Sequence, residues 1–215
     1  MPEKPIIFKG PMVNAILDDR KTQTRRLIKR LRTYGRSSVV NIHECGENGW
    51  RVTFDTGTRF DFTTNQILPL LEYQVGDVLW VRETWAHDAP SIEECRARYE
   101  DMLLGGVPYG PYFRADPVHE DTGLQWCPSI HMPRWAARLF LEVTGVRLER
   151  LQSISEDDAK EEGVPQHPDY PNEFFTTWRQ AFKYLWDTIY AKSGHGWDNK
   201  PVVAVYEFKK LEGYK

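Results

Sequence analysis

Three apolar runs constrain this chain most: "YQVGDVLWVRETW" at 73–85, "RLFLEVTGVRLERL" at 138–151 and "KPVVAVYEFKKL" at 200–211. Each has strand length and is built from β-branched, aromatic and leucine side chains that pack on a pleated surface. Gly76-Asp77 marks a turn before a strand over Val78–Trp85, and Gly145 ends or bulges the second run. Residues 38–63 add strands joined by tight turns, with "ENG" at 47–49 and "DTG" at 55–57 as hairpin signals.

Helices are fewer. "GPMVNAILDD" at 10–19 has Pro11 at its start and an apolar stripe of Met12, Val13, Ile16 and Leu17. A second helix is expected over Ile92–Leu103. "SISEDDAKEEGV" at 153–164 reads as a helix with Ser155 as N-cap, acids in the first turn and Gly163 as its stop. The longest helix is expected over 172–194, where Phe174, Phe175, Trp178, Phe182, Leu185, Trp186 and Ile189 follow helical spacing. That stripe reads as core rather than as a base-stacking platform. The remaining stretch, 86–127, is rich in Gly and Pro, and a loop of that length is functional or an insertion. Many strands with a few peripheral helices predict an α+β domain built on a small, curved, mostly antiparallel sheet or barrel.

Composition narrows the function. The net charge of −3 argues against a general polyanion binder, so any nucleic-acid contact needs a local basic patch. Only 40% of residues are hydrophobic, but 8 Trp, 10 Tyr and 10 Phe supply large rings for a core. "MPEKPIIFKG" lacks the features of a signal peptide. No apolar run nears the roughly 18 residues of a membrane span. Three widely spaced cysteines form neither a disulfide framework nor a zinc motif, which fits a reducing cytoplasm. His43 and Cys45 alternate onto one strand face, but two ligands are too few for structural zinc, so no metal and no cofactor are expected.

The local basic patch is "DDRKTQTRR", residues 18–26. After the first helix the chain turns extended at "TQTRRLI", and strand parity puts Thr22, Thr24 and Arg26 on one face. Lys21, at the start of the strand, can curl over that face. A lysine desolvated beside other cations loses part of its affinity for a proton and can then serve as a base. Without further context an exposed turn lysine is the simpler reading.

This run resembles the motif of the ASCH domain family, related to PUA-like RNA-binding barrels, whose pattern is G-x-K-x-x-E-x-R. Lys21 and Arg26 match; Asp19 stands for the glycine and Thr24 for the glutamate. The run K-T-x-T-x-R is similar to a branch of amidohydrolases acting on N4-acetylcytidine, and "EVTG" at 142–145 resembles that branch's "EVTA" strand. "VGDVLWV" and "VVAVYEF" look like the family's second turn-and-strand and its closing strand. The resemblance covers 6–28, 73–83, 138–163 and 202–209, within a single domain over 1–215. Insertions at about 30–70 and 86–135 make the chain similar to long bacteriophage or prophage members, which would act in the bacterial cytoplasm.

The resemblance implies Lys21 as general base, Thr24 as nucleophile and Glu142 as acid, cutting an amide on a modified nucleoside or nucleobase. Arg26 would hold the substrate. The residues add Arg82, Glu83 and Trp85 at the end of the 78–85 strand, where an arginine beside tryptophans can hold a base, and Glu83 is a rival acid. Arg134 and Trp135, in "CPSIHMPRWAAR" at 127–138, are candidate groove residues, with His131 beside them. Two other functions stay open: a module that binds RNA, single-stranded nucleic acid or a modified base without chemistry, and a ribonuclease using Lys21 and Arg26 on phosphate. The sequence does not indicate an oligomeric state.

Overall fold

The computed structural model describes residues 2–31, 39–46, 49–105, 110–117, 123–164 and 177–214. In chain order the elements are β1 (Glu3–Ile7), α1 (Gly10–Leu17), β2 (Gln23–Leu27), β3 (Val39–Glu44), β4 (Gly49–Phe54), β5 (Arg59–Thr63), α2 (Thr64–Ile67), β6 (Val78–Arg82), β7 (Trp85–Ala86), α3 (Ile92–Leu103), β8 (Tyr112–Phe113), β9 (Phe140–Arg150), α4 (Glu156–Glu161), α5 (Trp178–Tyr190) and β10 (Val202–Lys210). The expected α+β class holds.

The three apolar runs supply the centre of the main sheet, whose order is β1-β6-β9-β10-β2. β1 and β6 run parallel and the other pairs antiparallel. Among the described residues β1 and β2 do not pair, so the expected barrel is an open sheet. The β9–β10 register shifts between Glu207 and Phe208, opposite Gly145, where the sequence predicts a bulge.

β10 is buried on both faces, as its continuous apolar run requires. Val202, Ala204, Tyr206 and Phe208 enter a core shared with α1 and with Ile42, Trp50, Val52 and Phe54 of the small β3-β4-β5 sheet. Val203 and Val205 face the opposite way, against Phe182, Trp186 and Trp197. A third core joins Val78, Trp80 and Phe140 to Trp85, Phe113 and Met132. The 30–70 stretch carries β3, β4, β5 and α2, and the 86–135 stretch carries α3 and β8. The strand expected over 78–85 breaks after Arg82 and resumes at Trp85 to pair with Phe113. Residues 47–48 of the "ENG" turn, and Phe174 and Phe175, lie outside the described residues.

Two helix ends place the edge strand β2. α1 closes with the backbone N–H of Asp19 donating to the Ile16 carbonyl and that of Arg20 to the Ala15 carbonyl, at 3.1 and 2.8 Å. This is a Schellman turn, and its left-handed residue is Asp19, with φ +57°. The turn accounts for aspartate where the resembled pattern has glycine: a short polar side chain tolerates this conformation better than most. Asp19 also pairs with Lys210 at 2.7 Å, tying the turn to β10. Asp19→Gly is expected to leave stability within about 0.5 kcal/mol of wild type, whereas Asp19→Val loses about 1–2 kcal/mol. Urea denaturation of both variants checks this.

Candidate functional site

The turn after α1 delivers Lys21 to the end of α4. Their backbones meet in an isolated antiparallel bridge between Lys21 and Glu162. Gly163, with φ +71°, ends α4 in the left-handed conformation, and a Cβ on it would lie 2.7 Å from the Cβ atoms of both Ala15 and Lys21. Only glycine permits this approach of helix end to strand.

Lys21 is 3% exposed. Its Nζ donates to the Gln23 carbonyl, the Glu162 carbonyl and Glu162 Oε2, each at 2.8 Å. Burial pushes the Lys21 pKa below its ordinary value; Glu162 opposes the shift, while Arg26 and Arg25 add to it. Oε1 of Glu162 accepts from the Arg25 backbone N–H at 2.7 Å and from Arg25 Nη1 at 3.1 Å. Arg25 is fully buried in its turn and donates to Glu149 at 2.7 Å. Gln23 donates to Asp158 and Glu161 at 2.7 and 2.8 Å. The odd-numbered side chains of β2 thus bind α4 and β9.

The β2 edge of the sheet borders a cleft of about 560 Å³, within the size range of small-molecule sites, that takes side chains from both faces of the strand. Lys21, Thr24, Arg26 and Glu162 line it, walled by Phe8 of the β1–α1 link and by Phe182, Trp186 and Tyr190 of α5. The Lys21 amine and the Arg26 guanidinium lie over the Phe8 ring at 5.5 and 5.0 Å. Burial raises the Tyr190 phenol pKa, with Arg26 opposing and Glu162 reinforcing. The site is therefore an apolar, aromatic slot with a lysine–carboxylate pair and a threonine in its lining.

Of the sequence candidates, Lys21, Thr24 and Arg26 come together here. Glu142 does not line the cleft. Its carboxylate faces the neighbouring strand and pairs with Lys209 at 2.9 Å, so the acid beside Lys21 is Glu162. The remaining candidates lie around the third core, outside the cleft lining. Arg82 packs over Trp80 at 4.6 Å. Glu83 is 1% exposed and takes both forks of Arg138 at 2.8 and 2.9 Å, while Arg138 also binds Asp116. Burial raises the Glu83 pKa, and Arg138 pulls it back. Trp85 is completely buried and meets Trp135 edge to face at 6.1 Å. Arg134 grips Glu3 with two bonds, at 2.8 and 2.9 Å, and holds the Glu3 pKa down to about 2. These groups bind one another and do not form the slot.

Sequence reasoning passed over Glu162, Phe8 and Tyr190. Glu161 and Glu162 carried one available signal: two carboxylates in the last turn of a helix oppose its dipole and call for cationic partners. The α5 stripe, read as core, is divided: Phe182 and Trp186 are buried, yet both also line the cleft with Leu185 and Ile189. Among the described residues no group of three or more His, Cys, Asp or Glu is placed to hold a metal ion. No helix there is long and apolar enough to cross a membrane.

No protein-family model matches the chain, and no curated protein matches it. Among solved structures it is similar to the crystal structure of an ASCH domain from Lactobacillus crispatus. The likeness covers 97% of this chain and 79% of that one, at 12% identity and a TM-score of 0.41. Likeness at that level does not assign the chain to a family, so function has to be read from the cleft itself.

Gly163→Ala is expected to cost about 2 kcal/mol or more, from the left-handed backbone and the contact with Lys21, and thermal unfolding measures it. Arg138→Met leaves the Glu83 carboxylate buried without its partner and is expected to cost about 3 kcal/mol at neutral pH. A raised carboxyl pKa in the folded state favours folding at low pH and ceases to help as pH rises through it. The Arg138→Met deficit should therefore shrink as pH falls below 7. Denaturation at several pH values tests this.

Proposed function

We propose that the cleft binds a modified nucleoside or nucleobase and hydrolyses an amide on it, as in N4-acetylcytidine. The observation that carries this reading is the buried Lys21 amine, 2.8 Å from the Glu162 carboxylate in a slot that Thr24 also lines. The resemblance of the K-T-x-T-x-R run to that amidohydrolase branch supports the same chemistry.

Burial disfavours the Lys21 charge, and the 2.8 Å bond to Glu162 Oε2 is the path along which its proton would move during the reaction. With its proton passed to Glu162 Oε2, Lys21 is an amine that can accept the Thr24 hydroxyl proton. The threonine oxygen then attacks the acyl carbon, and the acid on Glu162 returns its proton to the leaving base nitrogen. Water releases the acyl group from Thr24. Aromatic walls suit a flat base, which fills the slot by stacking. A binding module without turnover is the second reading, favoured by the three acceptors already engaged by Lys21 Nζ.

Thr24→Val removes the hydroxyl and leaves the ion pairs intact. It is expected to lower release of cytidine from N4-acetylcytidine by at least about 100-fold, with Thr24→Ser retaining part of the rate. No turnover by the wild-type protein, with saturable cytidine binding, selects the binding module. For the hydrolase the Lys21–Glu162 pair must hold one proton between them, so kcat/KM should fall with pH along a limb below the ordinary lysine value of about 10.4. A profile that is flat up to that value contradicts Lys21 as the base.

A further inference from the structure

The cleft's charges are unbalanced. Lys9, Arg20, Lys21, Arg25 and Arg26 line it, against the single carboxylate of Glu162. Three of the five cations are answered locally. Lys21 and Arg25 bind Glu162, and Arg20 binds Asp18 at 2.8 Å. Lys9 and Arg26 have no carboxylate partner among the described residues. Arg26 donates Nη2 to the Ile7 carbonyl at 2.7 Å and rests on the Phe8 ring, which orients its plane. Its other N–H groups have no partner among the described hydrogen bonds. Lys9 stands at the N-cap of α1 with no side-chain cap bond, so the positive helix end adds to the same field. A neutral nucleoside would use the aromatic walls and the Lys21–Glu162 pair and leave these two cations unanswered.

We infer that the ligand of this cleft carries a phosphate, bound by Arg26 and Lys9, and is a modified nucleoside monophosphate rather than a free nucleoside. The inference rests on the reading of the slot as a nucleoside site. A guanidinium held flat by a ring and a backbone carbonyl is pre-organised for a phosphate's oxygens, and a lysine adds a point charge. A cleft of about 560 Å³ has the size of a single-nucleotide site rather than of a groove tracking a polymer.

Titration of Trp fluorescence, with Trp186 in the cleft wall as reporter, tests this with cytidine and cytidine 5′-monophosphate as probes. The monophosphate is expected to bind at least about ten-fold more tightly, the effect of one good charge-assisted contact. Arg26→Gln and, separately, Lys9→Gln should each weaken binding of the monophosphate by a larger factor than binding of cytidine and so shrink that gap, with circular dichroism confirming the fold. Raising salt should shrink it too. Equal affinity for the two probes, or no binding of the monophosphate, overturns the inference, as does a gap that survives both substitutions. Hydrolysis of N4-acetylcytidine is read separately. Turnover without phosphate preference removes only the phosphate, and preference without turnover removes only the hydrolase.

Discussion

The ion pair between Lys21 and Glu162 is the contact on which this arrangement depends. Two charges buried at 3 and 4% exposure are costly to desolvate and repay that cost only with near-complete hydrogen bonding. Here Nζ has three acceptors, and the carboxylate answers Lys21 through one oxygen and Arg25 through the other. That geometry needs two chain reversals in the left-handed conformation, at Asp19 and at Gly163, each at the end of a helix. It also needs β2 to lie as an edge strand with α4 against it. The edge is covered, so its charges stabilise the fold instead of inviting another strand.

Charged groups elsewhere in the molecule fall into two sets. Around the third core, Glu83, Arg138 and Asp116 close on one another, as do Glu3 and Arg134. There the Arg138 guanidinium answers two carboxylates and Arg134 answers one, and these pairs hold the 86–135 stretch to the sheet. At the cleft, neutralisation is incomplete. Glu162 serves two cations, and Arg26 and Lys9 are left facing space of ligand size. An excess of one sign in an apolar slot is a feature a ligand can answer.

The fold was legible where pattern and backbone requirement coincide. The runs at 78–81 and 202–206 became central strands because unbroken apolar sequence has to be buried on both faces, and 140–150 lies between them through its buried Phe140, Leu141 and Val143. Ser155 and Gly163 marked the ends of α4 because caps are local chemistry. At the site, Lys21, Thr24 and Arg26 were legible because they share one short segment. Glu162 was not, because the pairing spans 141 residues and depends on how α4 meets β2. Glu142 looked equally suitable in one dimension, but its strand parity and the cross-strand lysine at 209 turn it elsewhere. Arg82, Glu83 and Trp85 follow a strand that breaks after Arg82, and no periodicity in that run signals the break. The α5 stripe served two surfaces at once, which helical spacing alone does not distinguish.

The most direct test of the central claim is a double-mutant cycle on Lys21→Met and Glu162→Leu, followed by chemical denaturation. Each single change should cost about 3 kcal/mol or more, since it leaves a buried charge behind. The double variant should then cost less than the two together by at least about 1 kcal/mol. Costs that add to within about 0.5 kcal/mol would mean that the two side chains do not meet in the folded protein, and the cleft chemistry built on them would fall.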